Sequence, residues 1–274
     1  LFVLLSSNLL AQTLANSKQE YCHNYSNKDY FKNMLRERSN RISFVNHGGL
    51  LNAGVCWWHS RFQRAATYLT IYRPELPKPT YKQAKKLIRS IRKRRSVVII
   101  PGYQNLNEFS SAWPQLIQKT LERWQIIDGF IFQSWIIGLS GKTKTTAQKM
   151  KDKMDQLYID VMIHKNISYQ MLQLRGPDAH AWLVLEMTPI TGGYNLLIID
   201  SNYLNLQTYT YKFNDTNLYY RYTTEFVPYL QKKRELKRIF RRMQKYCSSH
   251  SLFINYIIYI EYYFMTLQKL GSII

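Results

Sequence analysis

Three residues able to build a nucleophilic site stand in order along this chain: Cys56, His180 and Asp200. Cys56 closes the glycine-punctuated run Val45-Asn46-His47-Gly48-Gly49-Leu50-Leu51-Asn52-Ala53-Gly54-Val55 and opens a helical stretch from Trp57 to Thr70. A thiol at a loop-to-helix junction meets backbone N–H groups and the positive end of the helix dipole, which favour a thiolate. The same N–H groups can hold a tetrahedral oxyanion. A thiol nucleophile also needs a base, and the base needs an orienting group. His180 begins a strand-like run to Met187, and Asp200 ends a second run that starts at Tyr194. Thr188 to Gly193 reads as the turn of a hairpin. Antiparallel pairing sets the start of one strand beside the end of the other, so imidazole and carboxylate can meet at one edge.

These windows resemble the papain-like cysteine peptidase superfamily. Gly54-Val55-Cys56-Trp57 opening a helix, His180-Ala181 opening a strand and Asp200-Ser201 closing the next are similar to that family's pattern, in its order of Cys, His and Asp. The resemblance implies an α+β fold in which a helical part, with the nucleophile at a helix N-terminus, packs on an antiparallel β-sheet. It further implies acyl transfer from a protein or peptide substrate, with no cofactor and no metal. The family usually has a glutamine oxyanion donor six residues before the nucleophile, where this chain has Leu50; Asn52 and Asn46 are the nearby amides that can take its place. Trp57 and Trp182 are candidates to shield the pair from solvent. Asp178-Ala179-His180-Ala181-Trp182 also resembles transglutaminase-like domains, for which transfer to an amine is the implied reaction.

Other constellations compete. Cys56-x-x-His59 and Cys247-x-x-His250, with Cys22-His23, have the residue types of a zinc site. His59, one helical turn from Cys56, is an alternative base. Gly138-Leu139-Ser140-Gly141-Lys142-Thr143 lacks the glycine that a phosphate loop needs, because position 136 is Ile136.

The elements that must position these groups are legible in part. Hydrophobic residues make up 46% of the 274 and aromatic residues 15%, which excludes a disordered chain. Short helices are expected from Asp29 to Arg38, from Tyr81 to Arg95 and from about Phe109 to Gln125, and a buried-type strand from Ser96 to Ile100. A further helix is expected from Phe226 to Tyr246, and a docked one from Leu252 to Leu270. Residues 1–15 read as the end of a signal peptide, 16–274 as one catalytic domain, and everything from about 226 as its helical extension. Export permits a disulfide: pairing Cys22 with Cys247 leaves Cys56 free, and three free thiols is the alternative.

Lys and Arg outnumber Asp and Glu by 38 to 17, a formal charge of +21. Such a field favours anionic partners. The basic faces of the helices over 81–95 and 230–245 are candidates to meet an anionic surface or polymer, with Tyr219, Tyr220 and Tyr222 as stacking groups. A non-catalytic exported protein binding such a polymer is therefore the rival reading. No run in the mature chain reads as a transmembrane span.

Overall fold

The computed structural model describes residues 17–132, 143–173, 179–220, 224–230 and 233–248. The helix α3 (Cys56–Leu69) is its axle: all 14 of its residues are buried. A helix enclosed on every side needs a partner for each face. One face of α3 docks on the sheet. Trp57 Nε1 donates to the His180 carbonyl at 3.0 Å and Ser60 Oγ to the Ala181 carbonyl at 3.2 Å. A second face meets the short helices α1 (Lys18–Asn24) and α2 (Lys28–Met34). There Tyr21 donates to the Tyr68 carbonyl at 2.6 Å, and Phe31 packs on the Tyr68 ring. A third face meets α4 (Tyr81–Lys93) and α6 (Pro114–Ile126).

The main sheet has five strands in the order β6-β5-β4-β3-β9: β3 (Ser168–Gln173), β4 (Ala179–Ile190), β5 (Gly193–Asp200), β6 (Gln207–Lys212) and β9 (Pro228–Leu230). Every pairing in it is antiparallel. β4 alternates as a strand buried on both faces must. Ala181, Leu183 and Leu185 join the core around α3, while Trp182 and Val184 join a second core with Met150, Met154 and Leu157. The last three lie on α7 (Ala147–Tyr158), which covers the far face of the sheet. The architecture is thus mixed helix and antiparallel sheet, with a helical layer on each side. A parallel pair, β1 (Thr70–Arg73) and β2 (Val98–Pro101), and an antiparallel pair, β7 (Leu218–Tyr220) and β8 (Thr224–Phe226), complete it.

Three expectations are corrected. The hairpin turn is not Thr188 to Gly193; β4 continues through Pro189 to Ile190, which faces Gly193, so only Thr191 and Gly192 turn. Gly192 takes φ 74°, a conformation that suits glycine in so tight a connection. The helix over 109–125 is two helices, α5 (Leu106–Ala112) and α6, broken at Trp113. Pro114, the first residue of α6, has no N–H to continue α5 and biases Trp113 away from helix. Of the helix expected from Phe226, residues 233–248 are helical. Pro228 holds the chain extended, and residues 228–230 pair with β3 instead.

Residues 1–15 and 252–270, Asp178, Tyr222 and His250 lie outside the described residues. Among the described residues, no helix is long and apolar enough to cross a membrane.

Candidate functional site

The loop before Cys56 is shaped by polar side chains from two directions. From one side, Asn46 Oδ1 accepts the Val55 N–H at 2.5 Å. From the other, α6 presents Gln118, Glu122 and Gln125. Gln118 Nε2 donates to the His47 carbonyl at 2.9 Å, and Glu122 accepts the Gly49 N–H at 3.2 Å. Gln125 bridges the loop, accepting from Leu50 N–H at 2.8 Å and donating to the Gly54 carbonyl at 3.0 Å. Gly54 sits at φ 85°, and a Cβ there would lie 2.6 Å from the Asn46 amide nitrogen. Glycine is thus needed immediately before the helix for both conformation and space. Leu51 and Asn52 also have positive φ, at 52° and 58°.

Cys56 is the first residue of α3, where helix geometry leaves backbone N–H groups without an intrahelical acceptor. Its Sγ lies 3.7 Å from the Ala179 carbonyl oxygen, at the start of β4. His180 and Asp200 meet as the antiparallel register requires: Trp182 pairs with Asp200, so His180 lies just beyond the end of β5 on the same face. His180 Nε2 and Asp200 Oδ1 are 2.7 Å apart. The Cys56 sulfur also acts on this ring, through its charge and a side-chain hydrogen bond. With Nε2 on the carboxylate, Nδ1 is the nitrogen left for the sulfur.

The electrostatics follow from that placement. Burial disfavours a charged His180 ring, but the charges of Asp200 and Cys56 and the side-chain hydrogen bonds to them outweigh it, and the pKa rises to about 10. His180 and Asp200 are 3% and 2% exposed, and Cys56, at 7%, is buried with them. His59 behaves oppositely. Burial lowers its pKa to about 4, the bond with the Phe44 carbonyl offsetting little of this. Its Nε2 is spent on that carbonyl, at 3.2 Å, so it serves the core and not the sulfur.

The expected auxiliary residues separate. Asn46 is already committed as a donor: its Nδ2 reaches Asn202 Oδ1 at 2.9 Å, which makes it a positioning group for the loop. Asn52 lies exposed on the 50–52 turn. Trp57 buttresses the backbone of His180 through its indole N–H. Trp182 belongs to the far core, donating to Gln170 Oε1 at 2.7 Å and packing on Phe226. Cys22 and Cys247 form a disulfide, and Cys56 is free. The disulfide withdraws Cys22 and Cys247 from the zinc reading, and no group of three or more metal-binding side chains occurs among the described residues.

Two groups of residues went unnoticed in the sequence. Asn202 donates its backbone N–H to Asp200 Oδ1 at 2.9 Å and accepts from Asn46, linking the Asp200 carboxylate to the loop before Cys56. The short spacing Asp200-x-Asn202 was its only signal. Gln118, Glu122 and Gln125 were signalled by their helical spacing, which places three polar groups on one face.

A scan of family models, a search of curated proteins and a search of solved structures each returned no match to this chain.

Proposed function

We propose that this chain is a papain-like cysteine hydrolase cleaving peptide or amide bonds by acyl transfer through Cys56, His180 and Asp200. One observation carries the reading: a single buried imidazole is shared between the carboxylate of Asp200 and the sulfur at the mouth of α3. Ion pairing of imidazolium and thiolate stabilises both partners, and the raised pKa of His180 fits such a pair.

In the reaction, Cys56 Sγ attacks the carbonyl carbon, a C–S bond forms, and the π electrons move to oxygen. The N–H groups of the first turn of α3 face the developing oxyanion. Collapse re-forms the carbonyl and breaks the C–N bond, and His180 Nδ1 supplies the proton that lets the amine leave. Water then adds to the thioester and gives its proton to His180, and rupture of the C–S bond releases the acid and the thiolate. Asp200 keeps Nε2 protonated throughout and fixes the ring orientation. The 7% exposure of Cys56 favours a slender substrate, an extended peptide or a side-chain amide, over a folded surface. The Cys22–Cys247 disulfide suits an oxidising compartment, so export belongs to the same reading.

Because Cys56 is the only free thiol, intact-mass measurement after brief iodoacetamide treatment of the native protein reports on it alone. Single labelling is expected at about pH 6, where an ordinary thiol is largely protonated. His180→Ala should slow it at least about tenfold, since the base partner is gone. Cys56→Ala should abolish hydrolysis of a peptide or amide library. Labelling at an ordinary thiol's rate, indifferent to His180, would return the chain to the non-catalytic reading.

A further inference from the structure

A groove of about 290 Å³ runs between α4 and α6. Lys85, Arg89 and Arg92 line it from one helix, and Lys119 and Arg123 from the other. Among the described residues no carboxylate lines it. Neither helix has one to offer: α4 contains no acidic residue, and the single acid of α6, Glu122, is turned to Gln118 and the nucleophile loop. The crowding shows in the protonation equilibria. Arg92 is pulled down by burial and then by Arg89 and Arg123, and Lys93 is pulled down by Arg89 first. Like charges held this close repel, and an anion entering between them relieves the repulsion.

The groove continues into exposed apolar surface. Lys119, Arg123 and Ile127 succeed one another at intervals of four, along one stripe of α6 and the turn that follows it, and Ile127 closes the groove. Just beyond, Ile126, Ile131 and Phe132 are 49%, 67% and 69% exposed. The apolar face of α4, with Ala84, Ile88 and Ile91, is buried in the core, so α4 itself cannot enter a bilayer.

We propose that this face docks peripherally on an anionic lipid surface. The cations of the groove take the phosphate headgroups, while Ile131 and Phe132 enter the acyl boundary. A nucleic-acid strand would satisfy the cations but would leave these apolar side chains in water. Strand binding also relies on aromatic stacking platforms, and among the described residues the groove offers only Tyr81. The inference is independent of the proposed hydrolysis, because none of these side chains belongs to the Cys56 site.

Co-sedimentation with phosphatidylcholine vesicles, with and without phosphatidylglycerol, tests it on the full chain. Binding is expected only to the anionic vesicles at about 0.1 M salt, and to be lost at about 0.5 M. Lys119→Glu with Arg123→Glu should weaken it at least about tenfold. Lys233→Glu with Lys237→Glu, an equal charge change on another helix, should leave it within about twofold. Ile131→Ser with Phe132→Ser should weaken binding while preserving its salt dependence. Circular dichroism and an unchanged urea midpoint establish that each variant is folded. Equal binding to neutral vesicles, no binding, or an equal loss in the Lys233/Lys237 control would overturn the proposal. So would tighter capture of a single-stranded oligonucleotide that displaces the vesicles.

Discussion

Two buried clusters of charge hang on the same helix. At the mouth of α3 stand Cys56, His180 and Asp200. One to two turns further along, Arg61 binds Asp128 at 2.6 Å and Glu235 at 2.9 Å. Arg64 and Arg94 reach the same Glu235 at 3.3 and 3.4 Å. The guanidinium groups of Arg61 and Arg94 lie over the Trp124 ring, 4.3 and 4.8 Å from its centroid. Both clusters are enclosed, and both shift ionisation strongly. Glu235 is disfavoured as a carboxylate by its burial, yet three guanidinium groups overrule this and lower its pKa to about 2. Arg61 rises because it grips two carboxylates, whereas Arg94, with one longer contact, is pulled down by burial to about 10. A strong shift inside a protein therefore does not identify chemistry. In the arginine cluster Glu235 is held as the carboxylate that an ordinary glutamate already is near neutral pH. At the helix mouth the shifted group, His180, stands beside a free sulfur, a side chain of a type that can act as a nucleophile.

The comparison can be broken at either end. The largest effect is expected from Asp200→Asn, which keeps the shape but removes the charge that orients His180. Turnover of the folded fraction on a substrate found by library screening should fall by roughly 10²–10⁴. An unchanged rate would make Asp200 a structural group like Glu235. Next comes Glu235→Gln, which strands three buried guanidinium groups. It should cost about 3–5 kcal/mol in urea unfolding while leaving the labelling rate of Cys56 in the folded fraction within about twofold. A small cost would mean that Asp128 and the ring of Trp124 suffice.

The smallest effect is the pH dependence, and its sign differs between the clusters. His180 has a folded pKa raised to about 10, so its stabilisation is complete below about 6.5 and is lost as pH rises through about 10. Glu235 is lowered to about 2, so its contribution is present above about 4.5 and is lost as pH falls through about 2. His59, lowered to about 4, adds to the acid loss below about 6.5, where the unfolded chain takes up a proton that the fold refuses. Thermal stability should therefore peak near pH 6.5. His180→Ala should flatten the alkaline limb, and Glu235→Gln the lowest part of the acid limb. An alkaline limb unchanged by the His180 substitution would contradict the raised pKa.

Local signals were legible where a single segment carried them. Thr80 and Gln83 form a capping box, and the buried stripe Ala84, Ile88, Ile91 repeats with helical period, so α4 could be read directly. The hairpin of β4 and β5 was visible in its two apolar runs, although the turn was read too long because Pro189 and Thr188 look like turn residues. The stretch 226–230 was misread because its strand identity depends on pairing with β3, far away in the chain. The cluster around Glu235 left no trace in composition: a solvated basic helix and one lining an ion cage look alike until Arg61, Arg64 and Arg94 converge on a single carboxylate.

By itself the sequence determined what each short segment would do. Glycine before a cysteine made a loop that turns into a helix, and two apolar runs made a ribbon with histidine and aspartate at the end away from its turn. Backbone preference and side-chain period act over a few residues, and that reach was enough. Only the tertiary structure decided that α3 is buried on all sides, that its sulfur meets the ring of His180, and that Asn202 ties Asp200 back to the loop through Asn46. Those are contacts between segments remote in the chain. They form because packing α3 on the sheet buries apolar surface, and that packing, rather than any local preference, sets which polar groups end up within reach of one another.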